Sequence, residues 1–379
     1  MLPLQFVNET IEKMSKKKLS IFNIILLIFN AVAVIALFMA YLANYLNPKI
    51  YFFAALCGLF YPYILFVNIL FIVLWLFRVR KYCFISLIAI LMGFNSFQRF
   101  YQFSGKDIPS DSTDLVKMLS YNVQIFGLYN NENQQDEIIH FLKGEMPDIV
   151  CLQEYCQDNT QKLVRQLKDS LNAADYHLYT PLSRGKYQFG MVIFSKFPIV
   201  NKETIFFKDA KTNHAMFADL KINEDTIRVY NVHFQSLYFG AEDYLFAKQA
   251  TSNTDFSNDE LKKNSIRILK KIKKGFAKRS SQADALSDHI KLSPYKTIVC
   301  GDFNDTPWSY TYKQIRNLLD DSFVRSGKGR GYTMVINRLL SFRIDYIFHD
   351  KSFKNYGFKT TKSNASDHYP ICTYLRITE

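Results

Sequence analysis

The sequence predicts an apolar helical anchor followed by one domain that mixes strands and helices. Three observations carry this. Uncharged apolar runs fill much of the first hundred residues, while short Val-, Ile-, Tyr- and Phe-rich runs alternate with polar helical stretches from Leu115 onward. The net charge of +13 is also unevenly spread: residues 1–106 carry ten Lys/Arg against two Asp/Glu, and residues 107–379 carry 37 against 32. With 49% hydrophobic residues the chain has too much apolar surface to stay disordered. Six cysteines in 379 residues exclude a disulfide scaffold.

Three apolar runs make up the anchor, assigned to residues 1–103. Leu19 to Ala43 and Ile50 to Phe77 hold no charged residue, and Tyr82 to Phe97 is shorter. A helix needs about 20 apolar residues to cross a bilayer core. The first two runs meet that length as transmembrane helices, and the third sits at its lower limit, either crossing or lying in the interface. The first run exceeds the 7–15 apolar residues of a cleaved signal peptide. Lys16, Lys17 and Lys18 precede the first run, and Arg78, Arg80 and Lys81 follow the second. The positive-inside rule puts both clusters in the cytoplasm. With three spans the N-terminus is cytoplasmic and everything after Arg99 is extracytoplasmic.

Residues 104–113 read as a polar linker, with Gly105 and Pro109. Beyond it, Leu115–Asn122, Ile149–Gln153, Gly190–Phe194, Ile227–His233, Thr297–Cys300, Ile344–Phe348 and Ile371–Leu375 are expected as strands. Gln135–Lys143 and Thr160–Asn172 are expected as helices. Glu260–Ile290 is expected as one long helix, either unbroken or broken near Gly275. That helix holds nine cations, from Lys262 to Arg279. They read either as a basic strip for phosphate polyanions or lipid headgroups, or as a solvated face. Ile266, Leu269, Ile272 and Phe276 recur at helical spacing, so one side of it is expected to be buried.

Polar residues that bind metal or move protons collect where the strands end. Asn122 closes the first strand, Glu154 follows the second in Leu-Gln-Glu, and His233 closes Val229-Tyr-Asn-Val-His. Asp302 and Asn304 stand two apart in Gly301-Asp-Phe-Asn-Asp, on one face of an extended segment. Asp345 lies in Arg343-Ile-Asp-Tyr-Ile-Phe, and Asp367 and His368 in Ser366-Asp-His-Tyr-Pro-Ile. Carboxylate and amide oxygens suit a hard cation such as Mg²⁺, and imidazoles suit proton transfer near neutral pH. No CxxC pair, HExxH or Gly-rich phosphate cradle occurs.

In this order and spacing the motifs resemble the endonuclease/exonuclease/phosphatase superfamily, the DNase I-like group, over roughly Asp114 to Glu379. Gly301-Asp-Phe-Asn-Asp and Ser366-Asp-His-Tyr-Pro-Ile are the most specific pieces. The resemblance implies an α+β fold: a four-layer αββα sandwich over residues 114–379, here preceded by about three transmembrane helices, with the site at one rim. It implies Mg²⁺, or Mn²⁺ in its place, held by Glu154 with Asn122 and with help from Asp367. Asp302 would orient or deprotonate the attacking water and Asn304 would hold the phosphate. Asp345 would set the tautomer of His368, which would contact the scissile phosphate. His233 would stabilise the transition state or protonate the leaving oxygen.

Two departures from the family pattern matter. Gln124 stands where apurinic endonucleases carry Asp, which speaks against abasic-site repair. Gln188 stands near the position of a carboxylate partner for His233. Arg184 and Lys186, just upstream, either touch substrate phosphate or belong to a solvated loop. The expected substrate is a phosphate ester. A nuclease-like phosphodiesterase leads slightly over a lipid or inositol-phosphate esterase; a bilayer tether and a balance of only +5 on the soluble part weigh against nucleic acid but do not decide. A catalytically dead binding domain is disfavoured by the near-complete residue set. A transporter is disfavoured by spans without an internal ionisable residue. No motif names a protein partner.

Overall fold

The computed structural model describes residues 19–111, 114–130, 134–208, 210, 212–237, 242–243, 258–336 and 340–377. Lys16, Lys17 and Lys18 lie outside them. The N-terminal part is a helical bundle. Helix α1 (Ile21–Leu42) starts at Ser20, whose hydroxyl accepts from Asn23 N. The second apolar run, expected as one span, breaks at Phe60 into α2 (Phe52–Leu59) and α3 (Tyr61–Arg78), with Pro62 in the first turn of α3 where its missing N–H costs nothing. The third run forms α4 (Cys83–Met92) and α5 (Phe94–Phe100) after a 3₁₀ turn, with a 70° bend between them. Alpha-helices α1 and α3 are long and apolar enough to cross a membrane, and the bent pair makes a third if taken as one span.

Side-chain contacts fix how these helices run. Arg78, at the end of α3, donates to Asn23 at the start of α1, and the Trp75 ring meets Tyr82. Tyr61, at the start of α3, lies against Tyr41 at the end of α1. Thus α1 and α3 are antiparallel. The broken third segment runs back from the Arg78 end toward the Tyr61 end, reaching it through Phe97 and Phe100. A buried polar network joins the three: Asn30 donates to Ser86, Ser86 to Asn68, Trp75 to Asn30, and Asn68 to the Ala33 and Ile64 carbonyls. Every polar group in it has a partner, as an apolar surrounding demands.

The rest is the expected sandwich. The first sheet has the order β13 (Lys354–Thr360), β14 (Ile371–Arg376), β1 (Leu115–Asn122), β2 (Ile149–Asp158), β4 (Tyr187–Ser195), β3 (Asp175–Arg184). The second has the order β5 (Ile199–Phe206), β6 (His214–Ile222), β7 (Asp225–His233), β8 (Lys296–Asp302), β12 (Asp345–His349), β9 (Asp320–Asp321). A small β10–β11 pair (Met334–Val335, Ser341–Phe342) stands apart.

Period-two alternation divides each strand between two cores. Val116 and Met118 of β1, Ile149 and Cys151 of β2, Ile227 and Val229 of β7 and Ile298 and Cys300 of β8 meet between the sheets. The alternate residues Leu119, Tyr121 and Leu152 face α6 (Gln135–Glu145) and α7 (Lys162–Ser170). Tyr230, Val232, Val299 and Tyr346 face α8 (Asn258–Lys291) and α9 (Tyr310–Leu318). The layers are therefore helix, sheet, sheet, helix.

Helix α8 is the one long helix expected, unbroken at Gly275. The glycine provides clearance instead: a Cβ there would lie 2.6 Å from Leu237. All six cysteines are free and buried.

The helical bundle docks on the loop that follows β8. Trp308 stacks on Tyr61 at 4.2 Å between ring centroids, and its indole N–H donates to the Ser96 carbonyl. Asn44 donates to the carbonyls of Pro307 and Ser309, and Arg99 donates to the Asn44 side chain and the Pro307 carbonyl. Gly58 lets the loop approach: a Cβ there would lie 2.3 Å from the Trp308 carbonyl oxygen. The predicted linker is also tied down. Residue Lys106 exchanges backbone bonds with Ser326 and Gly357, and Gln102 pairs with Gly329.

Candidate active site

The alternation that builds the inter-sheet core also aims the polar residues. Ser120 and Asn122 continue the row of Val116 and Met118. His233 continues Ile227, Val229 and Asn231, and Asp302 continues Ile298 and Cys300. Asn122, His233 and Asp302 thus each end an inward-facing row, at the rim where the two sheets meet. Register aligns them: His233 pairs with Asp302 across parallel β7 and β8, and Asp302 pairs with Asp345 across antiparallel β8 and β12. Strand β14 runs antiparallel to β1 with Ile371 opposite Ser120, which brings the preceding Asp367 and His368 to Asn122.

Glu154 breaks the parity and reaches the site through a bulge. On a regular β2 it would share the outward face of Val150 and Leu152. The pairing of β2 with β4 shifts register between Leu152 and Tyr155, and Glu154 has φ of 50°. A bulge re-aims a side chain in this way. The Glu154 carboxylate lies 3.6 Å from His233 Nε2 and stays 34% exposed at the rim.

Asp302 is the centre of the cluster and is buried. Its Oδ1 accepts from Asn304 N at 2.8 Å, and its Oδ2 accepts from the side-chain amides of Asn122 and Asn304, each at 3.1 Å. His233 Nε2 and His368 Nε2 approach the same oxygen at 3.7 and 3.8 Å. Asp345 Oδ2 binds His368 Nδ1 at 2.9 Å. Asn304, held at φ of 52°, also donates to the Phe234 carbonyl.

Charge in this cluster is set by burial and by neighbours. Burial raises the Asp302 pKa to about 6; His368 and His233 pull it down and Asp345 pushes it up. Burial opposes charge on His368, but Asp345 and then Asp302 outweigh it and hold the imidazole well above its ordinary value. His233 is held below the ordinary value by burial, and its Nε2 is buried without a hydrogen-bond partner. Burial and then the Asp367 carboxylate raise Glu154. Four carboxylates therefore converge on one charged imidazole, and a divalent cation fits that surplus of negative charge. Ligand atoms of Asp302, Asp345 and His368 lie within 4.8 Å of one another, a grouping that can hold a metal ion.

Eight of the residues singled out by sequence thus meet at one rim. Arg184, Lys186 and Gln188 do not join them. They lie on the β3–β4 hairpin, where Arg184 and Lys186 are exposed and Gln188 accepts from Gln157. Lys186 instead lines a separate cavity of about 540 Å³ with Gln157, Asp158 and Lys162.

Sequence reasoning missed the residues that hold the site. Ser366 donates to the Asn122 carbonyl and accepts from His368 N. Thr333 accepts from the backbone N–H of both Ile344 and Asp345. Between the sheets, Gln153 donates to Asn231, which donates to the Leu152 and Val192 carbonyls. Arg279, fully buried, bonds Asp305 and the Gln235 carbonyl and ties α8 to the catalytic loop. A polar residue on a buried row, such as Asn231, is the only sequence signal among these.

The description "Endonuclease/Exonuclease/phosphatase family" matches residues 119–368, spanning Leu119 to His368 and so the whole rim. The chain belongs to this family. A second description, a domain of unknown function, matches residues 23–100, the helical bundle. A search of curated proteins finds no match.

Among solved structures, the family member from Bacteroides vulgatus is 17% identical at a TM-score of 0.51, covering 69% of this chain and 98% of that one. The human Nocturnin catalytic domain with bound sulfate is 16% identical at 0.50, covering 73% and 97%. These likenesses are of fold. The family is one of phosphate-ester hydrolases in general, and its match spans every rim residue.

Proposed function

We propose that the chain is a Mg²⁺-dependent phosphodiesterase, with Mn²⁺ as an alternative ion, held at a bilayer by its N-terminal helices. The observation that carries the chemistry is the buried Asp345–His368–Asp302 array, with Asn122, Asn304 and His233 around it. Glu154, Asn122 and Asp367 would hold the cation, leaving the 2.9 Å Asp345–His368 bond intact. When bound, the cation offsets charge on the phosphate oxygens and favours ionised water.

The chain's own groups do the rest. Asp302 accepts the proton of the attacking water, and its three hydrogen-bond donors keep the carboxylate aimed. Asn304 orients a phosphate oxygen. His368, held protonated by Asp345, stabilises the charge that develops on phosphorus-bound oxygens. His233 is neutral and offers a hydrogen bond to the leaving oxygen.

The anchor bears on the substrate. The loop from Asp302 to Ser309 carries catalytic groups at one end and is gripped by Asn44, Tyr61 and Ser96 at the other. A site fixed to the ends of membrane helices favours an ester presented at the bilayer surface over a free polynucleotide. For sidedness, the docked end lies opposite Arg78, Arg80 and Lys81, and by the positive-inside rule that cluster favours an extracytoplasmic catalytic domain with a cytoplasmic N-terminus.

The test is an assay of the full chain in lipid discs with Mg²⁺ against phospholipid, sphingomyelin, phosphoinositide, single-stranded DNA, plasmid and RNA. Turnover of a lipid phosphodiester above that of polynucleotides is expected, and chelation abolishes it. Faster hydrolysis of polynucleotide would return the assignment to a nuclease, and no turnover of any ester would end the enzyme reading.

A further inference from the structure

The nine cations of α8 do not form one strip. Arg279 is buried against Asp305, and Arg267 and Lys271 pair with Asp243. Lys278 bonds Gln235. Lys262, Lys263, Lys270, Lys273 and Lys274 are exposed, with no acidic partner among the described residues. At about 100° per residue these five, together with Ile266 and Leu269, fall within an arc of roughly 140°. Ile266 is 43% and Leu269 40% exposed, so an apolar pair sits inside a lysine frame.

The position of this face is as specific as its composition. Ile272 and Phe276, just beside the arc, bury against Phe52 and Ala55 of α2. Lys273 lies over the Phe52 ring. Helix α2 is the turn between α1 and α3, the level at which those helices would leave a bilayer. Next to this contact Ile50 and Phe53 are exposed, at 76% and 62%. The lysine face is therefore continuous with the surface through which the anchor enters lipid.

We propose that this face of α8 lies on the bilayer and binds anionic lipid headgroups of the membrane that holds the anchor; the inference rests on the anchoring proposed above. The lysine ammoniums meet headgroup phosphates while their stems, with Ile266 and Leu269, cover the acyl boundary. A phosphate backbone in solution would satisfy the lysines but leave the two aliphatic side chains facing water, which is why lipid is preferred over nucleic acid. Lysines near an anionic surface strengthen association by about fivefold each. Seating α8 also steadies the catalytic loop, through Arg279 and Asp305.

The test uses the full chain with Lys270→Cys carrying a nitroxide; the six native cysteines are buried and do not compete for label. A second label at Val200→Cys on the exposed edge strand β5 serves as reference. Discs of phosphatidylcholine alone are compared with discs that also contain phosphatidylserine, reading collision with oxygen against collision with a water-soluble nickel complex. Expected is headgroup-depth immersion at position 270 in anionic discs only, reversed by high salt and by changing Lys262, Lys263, Lys273 and Lys274 to Glu, with position 200 aqueous throughout.

Equal exposure of position 270 in both discs, for a chain that resists alkaline extraction, would overturn the proposal and leave the anchoring intact. Release of the chain by alkaline extraction would overturn both. Binding of duplex DNA by the same lysines, without any lipid-dependent change at position 270, would overturn it in favour of nucleic acid.

Discussion

At the residue scale the account rests on charge held in buried rows. Asp345→Asn removes the partner that keeps His368 protonated, so kcat should fall by about 10²–10⁴ while the substrate KM changes little. Asp302 acts as a base only when ionised, and its pKa is raised to about 6. Activity should therefore be lost as pH falls through about 6 or slightly lower, because a nearby bound cation favours the carboxylate. A profile still climbing above pH 7.5 would assign the base to another group. Glu154→Gln should weaken Mg²⁺ activation by about a hundredfold or more, beyond what losing a residue behind a ligand costs. Asp345→Asn should leave Mg²⁺ activation nearly unchanged; the reverse pattern, read by metal titration of activity, would move the cation to the Asp302–Asp345–His368 group.

The eight rim residues were legible as a set because their motifs cluster at strand ends: Asn122, His233 and Asp302 end strands, Asp345 begins one, and Asn304, Asp367 and His368 lie in the adjoining loops. How Glu154 arrives was not, since a bulge between Leu152 and Tyr155 leaves no mark on a run of Val, Cys, Leu and Gln. Ser366 and Thr333 were equally silent, because hydroxyls that bond backbone look the same in sequence as solvated ones.

At the element scale, the strands that sequence missed are mostly sheet edges. Strands β3 and β13 close the first sheet, and β5 opens the second. Edge strands carry charges, Pro and Gly that blunt further pairing, so β5, with Asn201, Lys202 and Glu203, reads as loop. The interior strands β1, β2, β7, β8 and β14 lack that disguise. The hidden contact between anchor and catalytic loop is also an element-scale event. Trp308→Ala removes a stacked, buried ring and should cost about 3 kcal/mol at that interface. Gly58→Val should have a similar effect, by pushing a side chain into the Trp308 carbonyl. Both should lower activity without touching a rim residue, measured beside thermal unfolding in detergent. Full activity in both would mean that the anchor only tethers. Within the bundle, Asn68→Leu leaves the Ser86 hydroxyl without its acceptor in apolar surroundings and should cost about 1–2 kcal/mol.

At the scale of the molecule, the +13 charge divides by role. In the helical bundle, Arg78, Arg80 and Lys81 stand at the end away from the sandwich, while Arg99 and Lys106 contact it. In the sandwich, much of the excess lies on the exposed face of α8. The molecule is thus a helical bundle and a sandwich joined at the loop that follows Asp302.

The central claim is that this rim uses water to open a phosphoric ester. The direct test is phosphodiester hydrolysis by the full chain in lipid discs with Mg²⁺ in ¹⁸O-labelled water, for wild type, Asp302→Ala and His368→Ala. One ¹⁸O in the phosphoryl product, with the rate lowered by at least about a hundredfold in each variant, is predicted. Turnover that both substitutions leave untouched, or label in the alcohol product instead, would contradict it.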